Sequence, residues 1–436
     1  MLKTIIKRDG RREEFTPDKL NKWAIWASQD LKDRIDWSDI VLETVKVAGE
    51  EIDSQSLQKL LIKSCIQKRN WAYNVMAGRL YAAIYHKELY GNSRPHIRTL
   101  HDKLFDLGLM KLLDYTDEQY DQINAIIDHE RDFKMAHFQL EYARHKYSLQ
   151  DRVKGEAFET PQFIYMRLAM ALAEDEPEDI KVQEAINWYE EFSNARVSCP
   201  TPNYINLGTI HNGFASCCLI KVNDTARSLA IGDHIAYTMT YMSAGIGTNI
   251  QTRSVGDAVR SGSIKHKGKL PYYEAVGKAV RANTQGGRGG ACTAYFSCFD
   301  PEADVIIMLQ NPLSVDAVKN RDIHFAMMYN TFFAEKVAKN EDIFTFNVHT
   351  APDLEALFYS SDTEAFAAKY QEYENNPKFV KNYVSARNRL VNYGLQTHEV
   401  ATMYSADMTE LNRHTPHLNP IYSSNLCVAP ETLSLS

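Results

Sequence analysis

Ser216-Cys217-Cys218-Leu219-Ile220-Lys221-Val222 opens a series of short apolar segments that decides how the second half of this chain folds. Residues 246–250, 291–296, 343–348 and 400–404 have the same character. Helix-like periods near 231–242, 272–282, 303–309 and 325–337 fall between them. Alternation of this kind predicts parallel strands joined by helical crossovers. Strand side chains alternate faces, so only one of Cys217 and Cys218 can face a cavity while the other faces helices. A lone buried cysteine is ordinarily just a small apolar side chain, and that reading stays open for each of them.

Upstream the character changes at Cys199-Pro200-Thr201-Pro202. Residues 96–197 read as mostly helical, with amphipathic stretches at 117–134 and 182–193. The run 163–173 is apolar apart from Arg167, too short to span a bilayer, and reads as a buried helix. Further upstream, segments 3–7 and 11–15 flank the turn signal Arg8-Asp9-Gly10. A helix follows with Thr16 as N-cap and Pro17 in its first turn, its apolar positions Leu20, Trp23, Ala24, Ala27 and Leu31 sharing one face. Another helix carries Leu57, Leu60 and Leu61, and a further one runs from about Ala72 to Tyr90, stopping at Gly91. The expected domains are residues 1–91, 92–212 and 213–436.

Composition narrows the function classes. A net charge of −7 without a basic tract argues against nucleic-acid binding through phosphates. The N-terminus has no apolar signal core, and no membrane span is expected. The seven cysteines are scattered, odd in number and without Cys-x-x-Cys spacing, which predicts reduced thiols in a cytoplasmic protein and no zinc site.

Two motifs carry chemistry. Gln285-Gly286-Gly287-Arg288-Gly289-Gly290 places four glycines around one arginine. Its backbone can approach a ligand closely and its guanidinium can grip phosphate, although a plain surface loop has the same composition. It lacks the Gly-Lys-Ser/Thr of a P-loop. Ser424-Asn425-Leu426-Cys427 sets a thiol two residues after an amide, a pairing suited to a nucleophile or radical carrier beside a bound substrate.

In collinear order, the hairpin-plus-helices start, the Pro-Thr-Pro turn, Phe-x-Ser-Cys, Ala-Gly-Ile-Gly, Gln-Gly-Gly-Arg-Gly-Gly and Ser-Asn-Leu-Cys resemble the large (alpha) subunit of a class I ribonucleotide reductase with an N-terminal ATP-cone. The resemblance runs from about residue 3 to residue 427. It implies a helical N-terminal region with an ATP-cone followed by roughly half of a ten-stranded α/β barrel. It implies reduction of ribonucleoside diphosphates by a thiyl radical on Cys427, with Asn425 holding ribose hydroxyls and Cys217 as one half of the reducing dithiol. Thr201, Ser216 and Arg288 match substrate-side positions, Arg288 in the loop that links effector identity to substrate choice. Asp224, Thr225, Ala226, Arg253 and Arg260 match an effector site for deoxynucleoside triphosphates. Lys7, Glu13, Lys19, Ser54 and Lys87 match ATP-cone positions for ATP or dATP. The partners implied are a small radical-generating subunit holding a di-iron centre, thioredoxin or glutaredoxin, and a second alpha chain in a homodimer. No metal is expected in this chain. The coenzyme-B12-dependent relatives share the cysteine logic but fit the N-terminal organisation less well.

The pattern breaks directly after Cys427. Ala429 stands where the family has a glutamate able to act as general base, and Glu431 lies two residues further on. The family's second partner cysteine, later barrel strands, relay tyrosines and redox tail are not matched. Cys427-Val428-Ala429-Pro430-Glu431-Thr432 also resembles the start of an intein. A split gene, an intein-interrupted precursor and a trimmed chain are all open readings. The expectation is a polypeptide inactive alone, with an exposed apolar barrel interior, needing a complementary C-terminal alpha fragment. A catalytically dead, nucleotide-binding regulatory polypeptide is the alternative.

Overall fold

The computed structural model describes residues 2–7, 9–31, 33–151, 153–242, 244–285, 288–314, 320–426 and 434–435, with backbone only at 284–285, 288–289 and 434–435. The chain divides into two compact units, Met1–Phe214 and Ala215–Ser436.

The first unit begins with β1 (Thr4–Ile6) and β2 (Arg12–Glu14), paired antiparallel as the hairpin pattern predicts. A third strand, β3 (Glu51–Asp53), joins β1 in parallel and was not legible in three residues of sequence. Four helices complete this domain: α1 (Pro17–Ala27), α2 (Trp37–Val47), α3 (Ser54–Gln67) and α4 (Trp71–Tyr90). Thr16 occupies the N-cap of α1, but its hydroxyl makes no capping bond and Pro17 supplies the start. Asp36 and Asp53 cap α2 and α3 through their carboxylates. Gly91 ends α4 at φ +66°. Leu20, Ala24, Ile40, Leu61, Met76 and Leu80 form the core, each large apolar side chain contributing about 1.5–3 kcal/mol.

The helical region continues the same unit. It holds α5 (Ile97–Asp106), α6 (Asp117–Ile126), α7 (His137–Tyr142), α8 (Pro161–Ala173), α9 (Lys181–Ser193) and α10 (Thr201–Asn206). The amphipathic stretch expected over 117–134 is broken: α6 stops at Ile126 and a 3-10 turn, His129–Lys134, follows. The expected Pro-Thr-Pro turn is the start of α10, with Pro200 as N-cap and Pro202 in the first turn. Gly78 of α4 is required by packing, since a Cβ there would collide with the Met135 carbonyl.

The second unit is built on a parallel sheet of β4 (Cys217–Val222), β5 (Gly245–Ile250), β6 (Cys292–Ser297), β7 (His324–Tyr329), β8 (Met403–Asp407) and the two-residue β9 (Ser434–Leu435), ordered β8-β7-β6-β5-β4-β9. Every adjacent pair is parallel. Five successive parallel strands with helical crossovers are the partial α/β barrel expected from the sequence. Helices α11 (Ala226–Tyr241) and α12 (Leu270–Arg281) cover one face, where Cys218, Ile220, Val222, Ile246, Ile250 and Ala294 enter the apolar core.

Three sequence expectations fail here. Residues 325–337 are not one helix: Phe-Ala-Met-Met-Tyr is the strand β7, and only Thr331–Ala338 is helical, capped by Asn330. A central parallel strand is buried on both faces and reads as an unbroken apolar run, which a helix can mimic. Segment 343–348 supplies only Asp342–Phe344, paired antiparallel with Tyr383–Ser385 and outside the main sheet. The strand expected at 400–404 lies at Met403–Asp407, because a helix runs on to Val400.

Candidate functional site

The face of the sheet opposite α11 and α12 carries Cys217, Gly245, Gly247, Asn249, Thr293 and Tyr295 by strand alternation. Residues 421–426 lie across it as a finger. Thr293 Oγ1 donates to the Leu426 carbonyl at 2.8 Å, and Tyr295 OH donates to the Asn425 carbonyl at 2.6 Å. Asn249 Nδ2 donates to the Tyr422 carbonyl at 2.7 Å and to Tyr359 OH at 3.1 Å. Lys221 Nζ stands 3.3 Å from the centre of the Tyr422 ring, and burial lowers its pKa.

The two glycines of Ala-Gly-Ile-Gly make this approach possible. A Cβ on Gly247 would collide with the Ser424 carbonyl and lie 2.8 Å from Asn425 Cα. One on Gly245 would lie 2.6 Å from Leu426 Cδ2 and 3.2 Å from Cys217 Sγ. Cys217 and Leu426 therefore meet over Gly245. Ser424 and Asn425 are buried, and Ser216 stands just before β4, its carbonyl accepting from Gly245 N at 2.8 Å. Cys427, Ala429 and Glu431 lie outside the described residues.

The strand alternation sorts the thiols as expected. Cys218 is buried among the helices, and desolvation raises its pKa. Burial does the same to Cys292 and Cys298, and pushes Cys65 up to about 12. Cys217 is half-buried and faces the finger.

Beyond β4, Arg253 forms an ion pair with Asp224, its Nη2 2.8 Å from Oδ2. That hydrogen-bonded carboxylate holds the guanidinium in its charged form. Thr225 caps α11, accepting from Ser228 N at 3.1 Å, and Ala226 is the first residue of that helix. The loop carrying Arg253 is pinned at its base. Glu302 accepts from Val255 N at 2.7 Å and Lys269 N at 2.9 Å, and Asp257 accepts from Asn347 Nδ2 at 2.8 Å. Arg260 is exposed at a hairpin tip in the left-handed region, φ +47°, a conformation that costs about 1 kcal/mol or more outside glycine.

Residues 284–285 pair antiparallel with residues 288–289, Gln285 opposite Arg288. Gly286 and Gly287, like the Arg288 side chain, lie outside the description. Gly290 sits where a Cβ would collide with the Val280 carbonyl, so the last glycine of this motif is fixed by packing.

In the first unit, Lys7, Glu13, Lys19, Ser54, Trp23 and Trp26 line a pocket of about 390 Å³ between the hairpin, α1 and α3. Glu13 bridges Lys7 at 3.2 Å and Lys19 at 3.3 Å, and those hydrogen bonds, Lys7's first, lower its pKa. Lys87 is exposed in the last turn of α4 and is not among the lining residues. Thr201 belongs to the first unit, at the start of α10.

Sequence reasoning missed Asn249, Thr293, Tyr295 and Tyr422. The legible signal was polar residues at alternate positions in otherwise apolar strands. The sequence pattern places Trp23 only on the apolar face of its helix, and Trp26 belongs to no motif. Among the described residues, no group of three or more His, Cys, Asp and Glu side chains is placed to hold a metal ion. Among them, too, no helix is long and apolar enough to cross a membrane.

Comparison with known proteins matches the ATP cone domain over residues 3–87, the ribonucleotide reductase all-alpha domain over 135–212, and the ribonucleotide reductase barrel domain over 215–432. Similar curated proteins are alpha subunits of ribonucleoside-diphosphate reductase. That of Buchnera aphidicola is 29% identical over 440 residues, and that of Escherichia coli K12 also 29% over 440. The enterobacteria phage T4 protein is 28% identical over 441 residues. Each alignment covers 97% of this chain and 57% of the relative, so the chain spans little more than half the length of the proteins it matches.

Proposed function

Because this chain belongs to the family of ribonucleotide reductase large (alpha) chains, we propose that it supplies the N-terminal portion of a ribonucleoside-diphosphate reductase. The observation that carries this is the finger 421–426, bonded by Thr293 and Tyr295 over paired glycines, with the Cys217 sulfur beside it. In this reading Cys427 carries the thiyl radical and takes the ribose 3′ hydrogen atom. Cys217 and a second cysteine supplied by the C-terminal part together give two electrons and two protons at the 2′ position, and the 2′ hydroxyl leaves as water. The disulfide the two sulfurs form is reduced by exchange with an external dithiol, thioredoxin or glutaredoxin. Asn425 holds ribose hydroxyls, Thr201 and Ser216 contact substrate, and Arg288 relays effector identity. Asp224, Thr225, Ala226, Arg253 and Arg260 bind a deoxynucleoside triphosphate, where bidentate arginine contacts suit phosphate. The cone pocket takes ATP or dATP, its lysines on phosphate and its tryptophans on the base; Lys87 of α4, also a matched cone position, stands outside the lining.

Radical chemistry needs a water-excluded cavity, which a sheet of this extent does not enclose by itself. Catalysis therefore requires the remaining barrel strands and a small subunit that delivers the radical, with a second alpha chain as dimer partner. Ala429 favours a second reading, a nucleotide-binding polypeptide without catalysis, since the family's carboxylate base is replaced there. The test combines this chain with the C-terminal part of a related alpha chain and the small subunit, and measures dCDP formation. Activity lost in Cys217→Ser and Asn425→Ala supports the reductase reading. Activity surviving both changes refutes the site assignment. No activity with intact ATP and dNTP binding selects the regulatory reading.

A further inference from the structure

Arg167 is the one charged residue in the apolar run of α8, and its side chain is fully buried. A buried guanidinium needs every N–H occupied, and its partners reveal what it holds. Nε donates to Glu159 Oε1 at 2.7 Å and Nη2 to Glu159 Oε2 at 3.2 Å, a bidentate pair with a carboxylate that is itself fully buried. Two further N–H groups go to backbone: Nη2 to the Tyr204 carbonyl at 3.0 Å and Nη1 to the Leu207 carbonyl at 2.5 Å. Those carbonyls lie at the C-terminal end of α10, where a helix leaves its oxygens without intrahelical partners. Arg167 thus caps α10 from a neighbouring helix, charge against the negative end of the helix dipole. Gly208 follows at φ +76°, and a Cβ there would lie 3.0 Å from Arg167 Cγ, so the chain passes directly over the arginine stem.

The other end of the strut reaches the cone. The Tyr85 hydroxyl donates to the Glu159 carbonyl. Tyr90 OH donates to the Phe158 carbonyl at 3.0 Å and accepts from Thr160 N at 3.1 Å. Both tyrosines belong to α4, whose earlier residues Met76, Ala77 and Leu80 are part of the cone's core. An unbroken series of hydrogen bonds therefore runs from α4 through Glu159 and Arg167 to the helix that begins with Thr201.

We propose that Arg167 is a positioning residue that sets the Thr201-bearing helix α10 against α4, so that nucleotide in the cone pocket changes the stability of α10. The substrate role of α10 rests on the function proposed above; the mechanical link does not. The experiment is hydrogen exchange by mass spectrometry on the full chain, with and without ATP, following a peptide spanning 199–209 and peptides of α1. In wild type, ATP slows exchange in α1 and alters exchange at Asn203 and Leu207 at least threefold. Tyr85→Phe and Tyr90→Phe, which delete only hydroxyls, keep the α1 response and lose the 199–209 response. Arg167→Lys, which keeps charge but not the fork, raises exchange at 203 and 207 about tenfold without ATP and leaves ATP affinity unchanged. Should Arg167→Lys also lose ATP affinity, the tyrosine pair decides. A 199–209 peptide indifferent to ATP while α1 responds, or responding equally in the tyrosine variants, overturns the link. Absence of any ATP effect on α1 instead refutes the cone reading, and the Arg167→Lys baseline then tests the positioning alone. In assembled enzyme, Thr201→Ala with unchanged KM removes the substrate role of α10 and leaves the exchange results standing.

Discussion

Gly247→Ala tests the finger most directly. Gly247 sits inside β5, paired with Leu219 on one side and Thr293 on the other, so the strand cannot yield. The new methyl would overlap the Ser424 carbonyl and stand 2.8 Å from Asn425 Cα, against the 3.4 Å at which ordinary contact begins. Asn425 must retreat by at least 3.4 − 2.8 = 0.6 Å, and the Ser424 oxygen by more. Overpacking against backbone costs about 1–3 kcal/mol. Retreat also stretches the bonds from Thr293 and Tyr295 to the finger carbonyls, each worth about 0.5–1.5 kcal/mol. The loss is about 2–6 kcal/mol, capped by the point at which the finger lifts off altogether. At about 2–4 °C per kcal/mol for a unit of this size, the second unit's melting temperature falls by roughly 4 °C or more. Exchange of the 421–426 amides rises in parallel, and in assembled enzyme a shift approaching 1 Å in the reacting group costs about 100-fold in rate. Gly245→Ala is the internal control. Its methyl meets Leu426 Cδ2 and Cβ and Cys217 Sγ, side-chain atoms rather than backbone, so its effect is smaller. Equal melting of wild type and Gly247→Ala, with finger exchange unchanged, would refute the packing argument.

Tyr295→Phe removes the hydroxyl that holds the Asn425 carbonyl and should destabilise the second unit by about 1 kcal/mol in urea melts, with no cavity term. Glu13→Gln releases Lys7 and Lys19 from a shared carboxylate and should tighten inorganic tripolyphosphate binding roughly threefold to tenfold by calorimetry at pH 7.5; unchanged affinity would place the anion elsewhere. Asp224→Ala leaves Arg253 without the carboxylate that orients its guanidinium, and should weaken dTTP binding by about tenfold or more in equilibrium dialysis. His101 is fully buried, and desolvation holds its pKa down at about 3. Its unfolded value is near 6.5, so the unfolded state takes up the proton first and stability falls as pH drops from about 6.5 towards 3. That slope approaches about 1.4 kcal/mol per pH unit, so His101→Gln should remove about 2 kcal/mol of the first unit's loss of stability between pH 7 and 5, read in urea melts at the two pH values.

Much of this fold was legible because its signals are local. Pro17 starts α1, Gly91 ends α4, and the turn before Gly10 closes a hairpin, each through backbone preferences of single residues. The strand alternation at Cys217 and Cys218 also assigned the two thiols to opposite faces correctly. Where it failed, tertiary burial overrode local pattern. Phe325 to Tyr329 carries alanine and two methionines, good helix formers, yet forms β7 because a central strand needs apolar side chains on both faces. β3 is three residues long and exists only because β1 offers an edge. At the site, the glycines of Ala-Gly-Ile-Gly were visible as a motif, but their reason was not. For Gly247 it lies in Ser424 and Asn425, 177 and 178 positions away, and for Gly245 in Cys217 and Leu426.

The arrangement also separates the two adjacent thiols, and only Cys217 has the access that the proposed redox role needs. Exchange with an external dithiol proceeds through thiolate and needs access to the sulfur. Cys218 has neither, since it points into the core with Ile220 and Val222, and burial raises its pKa. Cys217 faces the finger, and the residue across from it on β5 is Gly245. Any larger residue there would fill the space shared by the Cys217 sulfur and Leu426. The absence of a side chain at position 245 is therefore what lets a strand cysteine meet the loop that leads to Cys427. Exchanging the pair, with Cys217→Ser and Cys218 intact, cannot rescue function through the neighbour. One residue along a strand is the opposite face of the sheet, and no rotamer of Cys218 crosses it. A Cys217→Ser protein whose Cys218 reacts with a maleimide at the wild-type Cys217 rate under native conditions would show that the sheet does not separate them.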